Sequence, residues 1–206
     1  MTIEEEIKAQ LARMSGWCSP EKALALYNLV VETKPAIAID LGVFSGKSCL
    51  SMAYGCRTNG SGIVVGIDAW EKSLCTFDAD EGTRNWWSSN VDLPNVYREF
   101  LGHLLSTGLT EQVRILRMSS WQASHCLTEE IGLLHIDGSH DEFSSSSDVA
   151  YWLPKLKVGG FVCLDDYDWA SLAIAVKLAK KCCDEVTVIN GNESHSMILK
   201  KVRQAF

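Results

Sequence analysis

Apolar stretches that end on a carboxylate recur along this chain, and they constrain its fold more than any other feature. "AIAID" (36–40), "GIVVGID" (62–68), "IGLLHID" (131–137) and "GGFVCLDD" (159–166) read as strands, as does "QVRILRM" (112–118), which runs into Ser119-Ser120. Runs so continuously apolar suit strands with both faces covered, as in a parallel sheet. Helix-like segments separate them, among them "GKSCLSMAYGCR", "DEFSSSSDVAYWLPKLK" and "DWASLAIAVKLAKKCC". Such alternation means an α/β fold with right-handed crossovers. The end differs: "EVTVIN" and "SHSMILKKV" are joined only by "GNE", too short for a helical crossover, so this pair must be antiparallel. The expectation is a seven-stranded, mostly parallel sheet with an antiparallel C-terminal strand and helices on both faces.

Two helices precede the first strand, within residues 1–34. Thr2 and Glu5 form a capping box, Ile3, Ile7, Leu11 and Met14 supply one apolar face, and Pro20 opens the second helix. Residues 70–106 break the alternation and hold Trp70, Phe77, Trp86, Trp87, Tyr97, Phe100 and His103. So long an excursion is either a functional lid or cap, or a pair of helices packing their aromatics as a small subcore.

At 206 residues, 47% of them hydrophobic, residues 1–206 can bury one core as a single domain. A net charge of −7 without a basic run argues against nucleic acid as a partner. No stretch reaches the ~18 apolar residues of a membrane span, and the acidic start "MTIEEEIKAQ" lacks the apolar centre of a signal peptide. The eight cysteines are scattered without a C-x-x-C pair, as expected of reduced thiols in a cytoplasmic protein.

The tripeptide Gly46-Lys47-Ser48 suggests a phosphate loop, but the spacing from Gly42 is one residue short and Asp40 would oppose phosphates. A carboxylate there suits a ligand bearing a cation. Gly42 and Gly46 allow close backbone approach, and Ser45 and Ser48 stand at a helix N-terminus where a ligand carboxylate can be held. Lys47 is either part of this grip or a solvated helix residue. Asp68 follows Gly46 by about 20 residues, the separation at which an acidic residue meets ribose hydroxyls.

In an open α/β sheet, ligands bind beyond the carboxyl ends of the strands. Asp40, Asp68, Ser119-Ser120, Asp137 and Asp165-Asp166 fall there together. Asp137, Asp165 and Asp166 would repel one another; a divalent cation with oxygen ligands, Mg²⁺ or Ca²⁺, relieves that, whereas Asp166 and Asp168 could instead cap the next helix. His140, three residues after Asp137, is placed to take a proton as general base. His103 has a weaker claim, and His135 within its strand reads as buried or packed against a helix.

These residues carry a resemblance. "IDLGVFSGKSCLSMA" is similar to the first motif of catechol O-methyltransferase, and "HIDGSHDEFSSSSDVAYWLPKLKVGGFVCLDDYD" to bacterial methyltransferases acting on sugar hydroxyls and natural products. From about Ala36 onward the chain resembles class I S-adenosylmethionine-dependent methyltransferases, and within them the metal-dependent small-molecule O-methyltransferases. In that family's sheet a seventh strand is inserted beside the fifth. The resemblance implies that Asp40 lies near the methionine amino group, Gly42 at the close approach and Ser48 on the methionine carboxylate. Asp68 would bind the ribose, Ala69 and Trp70 flank the adenine, and Ser120 and Trp121 meet its edge. Asp137, Asp165 and Asp166 would hold Mg²⁺. Where catechol enzymes have Lys after the first metal ligand and Asn as the last, this chain has His140 and Asp166.

The activity expected is therefore methyl transfer from S-adenosylmethionine to a hydroxyl of a small molecule (sugar, phenol or natural product), with Mg²⁺ assisting and His140 or Asp137 accepting the proton. Trp86, Trp87 and Tyr97 would face the acceptor. The rival readings are an NAD-dependent oxidoreductase and a non-catalytic cofactor-binding protein. A homo-oligomer would form through the exposed faces of the N-terminal helices.

Overall fold

The computed structural model describes residues 2–77, 79–191 and 195–205. Seven strands form one sheet: β1 (Ile37–Leu41), β2 (Ile63–Asp68), β3 (Val113–Arg117), β4 (Ile131–Ile136), β5 (Leu156–Asp165), β6 (Cys183–Asn190) and β7 (His195–Lys201). Their order is β3-β2-β1-β4-β5-β7-β6. β1 to β5 pair in parallel, and β7 runs antiparallel between β5 and β6. The expected antiparallel strand is thus present beside the fifth, and the "GNE" connection lies mostly outside the described residues.

Side-chain alternation sorts the strands onto two cores. Ala38, Val64, Leu133, Cys163 and Ile198 face one, together with α1 (Ile3–Leu11), α2 (Pro20–Thr33), α3 (Lys47–Asn59) and α6 (Leu93–Thr107). Ile39, Val65, Leu134, Val162 and Leu199 face the other, with α7 (Ser120–Cys126), α8 (Glu142–Trp152) and α9 (Ala173–Ala179). The central strands β1 and β4 are buried nearly throughout, whereas the edge strands β3 and β6 expose Arg114, Arg117, Asp184 and Glu185, charges that blunt an open sheet edge.

The N-terminal expectations hold. The Thr2–Glu5 capping box is formed, Ile7, Leu11 and Met14 are buried, and Ser19 caps α2 ahead of Pro20. Residues 70–106 become α4 (Lys72–Cys75), α5 (Glu81–Asn90) and α6. The aromatics of α6 pack on Trp70, with centroids of Tyr97 and Phe100 at 4.7 Å and 5.7 Å from it, while α5 buries no residue. The last crossover is shorter than its apolar pattern suggests. A 3-10 turn (Ala170–Leu172) leads into α9, and Cys183, expected in the helix, begins β6. All eight cysteines are free, and no helix among the described residues is long and apolar enough to cross a membrane.

Gly42 leaves β1 at φ 85°, and a Cβ there would lie 1.9 Å from the Asp137 carbonyl oxygen. The glycine therefore lets two parallel strand ends converge. Gly42→Ala adds left-handed strain to a backbone clash, and a loss of at least about 2 kcal/mol is expected in the urea midpoint.

Candidate active site

A cleft of about 1280 Å³ opens at the carboxyl edge of the sheet. A single small ligand usually fills roughly 300–1,000 Å³, so this cleft has room for two. Its floor comes from strand ends: Gly42, Asp68-Ala69, Ser119 to Trp121, Asp137 to His140, and Asp165-Asp166.

Of the residues expected to hold a cofactor, Gly42, Ser45, Ser48, Asp68, Ala69, Ser120 and Trp121 line the cleft. Asp68 accepts the backbone N–H groups of Phe44 at 2.9 Å and Trp70 at 2.8 Å. These bonds fix the carboxylate and tie the β1–α3 loop to the end of β2. Burial raises its pKa, partly offset by these N–H bonds.

Three of the expected cofactor residues lie elsewhere. Asp40 is fully buried beneath the floor, with its carboxylate on Ser48 Oγ at 2.8 Å and His135 Nδ1 at 2.6 Å; it orients those side chains and does not reach the cleft. Gly46 faces Phe100, whose ring a Cβ would meet at 2.4 Å. Trp70 is buried on Phe100, its indole N–H donating to Phe44 O at 2.8 Å, which removes it from any adenine. Strand-end spacing reveals which residues converge, but these inward contacts are made by α3 and α6.

The metal expectation meets an obstacle. Ile136 pairs with Leu164, which sets Asp137 and Asp165 side by side on the α2 face of the sheet. Between them stands Lys22 of α2, its Nζ 2.9 Å from Asp137 Oδ2 and 2.8 Å from Asp165 Oδ2. Ser196 Oγ donates to the other Asp165 oxygen, and Asp166, the third expected ligand, binds His140 at 3.0 Å instead. His135, Asp137 and Asp165 do offer ligand atoms within 4.8 Å of one another, but the ammonium engages two of the three, and the donor set does not fit a divalent ion as arranged.

The paired carboxylates diverge in acidity. Burial pushes Asp137 up to about 7, aided by the neighbouring Asp165 charge and opposed by Lys22. Asp165 is also buried, but Lys22, His135 and the Ser196 hydroxyl hold it below the usual carboxylate range. Despite desolvation, the carboxylates keep Lys22 firmly protonated.

His140 is 28% exposed and packs on Trp169 at 5.0 Å. Desolvation lowers its pKa, but the Asp166 hydrogen bond and the Asp137 and Asp166 charges outweigh this and raise it. With Nε2–H donating to Asp166, Nδ1 is the nitrogen left to accept a proton. Asp166 holds its place with φ 45°, strain of the kind found at active sites.

Another wall of the cleft joins Trp86 and Trp87, both expected near an acceptor, to Trp17 and Phe44, which the sequence did not reveal. Trp17, in the α1–α2 connection, lies 5.5 Å from Phe44, 6.3 Å from Trp86 and 6.4 Å from Trp87. The connection is tethered from below, since Ser45 Oγ donates to Ser15 O and Lys47 Nζ to Gly16 O at 2.6 Å. Ser15 in turn donates its N–H and hydroxyl to Glu99. The GKS segment therefore grips this wall. Tyr97, expected to face an acceptor, packs on Trp70 and under Arg117 instead.

Comparison with known proteins decides the family. The methyltransferase-domain family matches residues 39–167, more than half of the chain. The chain belongs to that family. Solved structures share its fold. The O-methyltransferase NovP superposes with TM-score 0.64 at 23% identity, covering 89% of this chain and 79% of its own. The O-methyltransferase from Bacillus cereus in complex with S-adenosylhomocysteine gives 0.65 at 14%, covering 96% and 90%. The O-methyltransferase TomG from Streptomyces achromogenes, involved in tomaymycin synthesis and bound to S-adenosylmethionine, gives 0.65 at 14%, covering 97% and 87%. No curated protein matches this methyltransferase in sequence.

The His140 pair has a measurable signature. The imidazole is expected to titrate above the ordinary value of about 6.5 by NMR, and Asp166→Asn to move it downward, because desolvation then loses its main opponent.

Proposed function

We propose that this methyltransferase transfers the methyl group of S-adenosylmethionine to a hydroxyl of a small-molecule acceptor. The observation that carries the reading is a two-ligand cleft that sets an oriented proton acceptor, His140 on Asp166, opposite an aromatic wall. Fold relatives bound to S-adenosylmethionine or its product support the cofactor, and O-methyltransferases among them support the acceptor atom.

The residues on the cofactor side fit that ligand. Asp68 lines the cleft beside Ala69, whose small side chain leaves room for a base, and Ser120 and Trp121 border the same space. On the floor, Lys22 pairs with Asp137 and Asp165 and His140 with Asp166, which leaves Asp68 as the carboxylate that meets the polar groups of the cofactor. The bound cofactor supplies an electrophilic methyl on a positively charged sulfur. Reaction then needs the acceptor oxygen in line with that methyl and a base for its proton. His140 Nδ1 is the base in this reading, and Asp166 stabilises the imidazolium that results, as an orienting carboxylate does in a catalytic triad. Asp137, poised near neutrality at the cleft edge, is the second candidate acceptor of the proton. Trp17, Phe44, Trp86 and Trp87 offer a ring or sugar face flat contact surface.

The test is calorimetry with S-adenosylmethionine, with NAD and ATP as controls. Micromolar binding of S-adenosylmethionine alone is expected, and absence of binding would sink the reading. Asp68→Ala should weaken that binding by about tenfold or more, the worth of hydrogen bonds to a charged group. His140→Ala should keep the affinity and lower kcat by roughly a hundredfold or more in an assay of acceptor methylation.

A further inference from the structure

We infer that Lys22 is a built-in cation that replaces the divalent metal at this site, so that methyl transfer proceeds without metal. The inference rests on the methyltransferase reading above and specifies how that active site is charged.

Three observations carry it. First, one ammonium satisfies both carboxylates. Lys22 Nζ is 2.9 Å from Asp137 and 2.8 Å from Asp165, while the remaining Asp165 oxygen takes the Ser196 hydroxyl and Asp166 turns to His140. A hard divalent ion needs six or more oxygen ligands in Ca²⁺ sites, or near-ideal octahedral ones for Mg²⁺. Here the two best-placed carboxylates are already bonded to another cation, and the third does not join them.

Second, Lys22 sits where a lysine is otherwise disfavoured. Its side chain is 0% exposed, and buried lysines are rare unless paired. It also stands in the first turn of α2, where its own backbone N–H donates to the Ser19 cap and the helix dipole repels positive charge. The two carboxylates offset both costs and hold the side chain there. A metal entering between Asp137 and Asp165 would strand Lys22 as an unpaired buried charge.

Third, the arrangement follows from sheet parity. Asp40, His135, Asp165 and Ser196 lie opposite partners that keep them on the α2 face: Asp40 pairs with His135, His135 with Cys163, and Asp165 with Ser196. The cation therefore reaches these carboxylates from the helix above them and not from the open cleft. Lys22 acts through Asp137, a positioning role. It fixes the carboxylate that borders the acceptor space, so the acceptor hydroxyl meets Asp137 and His140 directly and not through an ion.

The experiment is a Mn²⁺ titration of the full chain saturated with S-adenosylmethionine, followed by electron paramagnetic resonance of free Mn²⁺. The wild type should remove no stoichiometric Mn²⁺ from solution, whereas Lys22→Ala should remove one equivalent, because it unmasks the carboxylates. Adding Asp165→Asn to that variant should abolish the gain. One equivalent bound by the wild type would overturn the proposal, and so would a Lys22→Ala protein that keeps S-adenosylmethionine affinity yet gains no Mn²⁺. The wild-type measurement stands even if the variant does not fold. Failure to bind S-adenosylmethionine in the parallel calorimetry would instead count against the methyltransferase reading itself, so the two failures are separable.

Discussion

The contact of Lys22 with Asp137 and Asp165 is the constraint around which this site is organised. Parallel strands deliver their carboxyl ends to one edge, and this sequence ends β4 and β5 on acids at matching heights. Two buried carboxylates at that distance cannot both stay charged without a counter-charge. The chain supplies one from α2, a helix that precedes the sheet in sequence and covers it in space. The position of α2 on the sheet, the split acidity of Asp137 and Asp165, and the direction taken by Asp166 toward His140 are all consistent with that pairing.

Much of the architecture was legible because it is local. Apolar runs, Pro20, the Thr2–Glu5 box and the short link between the last two strands identify elements without knowledge of their neighbours. So do the acids at the strand ends, of which Asp68, Asp137, Asp165 and Asp166 line one cleft. Apart from the end of α9, the misreadings are non-local. Asp40 and Trp70 look like ligand-facing residues in a linear motif, but Ser48, His135 and Phe100 draw them inward. The role of Lys22 depends on partners more than a hundred residues away. A signal for it was nevertheless present. Lys22, Leu26 and Val30 share one helical stripe, and Leu26 and Val30 are core residues, so a lysine in line with them marks a charge on a buried face.

The GKS segment shows how a familiar pattern can be reused. In a phosphate loop the lysine and serine face a nucleotide. Here Lys47 and Ser45 hold the backbone of residues 15 and 16, and Ser48 steadies Asp40. The segment links the end of β1 to the aromatic wall through these hydrogen bonds.

That link bears on how such a protein diversifies. The family-defining stretch, 39–167, contains the strand-end acids and His140 but neither Trp17 nor Lys22. Trp17 and Lys22 both come from the N-terminal segment, whereas Phe44, Trp86 and Trp87 of the same wall lie inside the family stretch. One ring of the wall and the counter-charge of the floor thus travel together, and any exchange of the first 34 residues between relatives would replace Trp17 and Lys22 in a single step while leaving the strand-end acids in place.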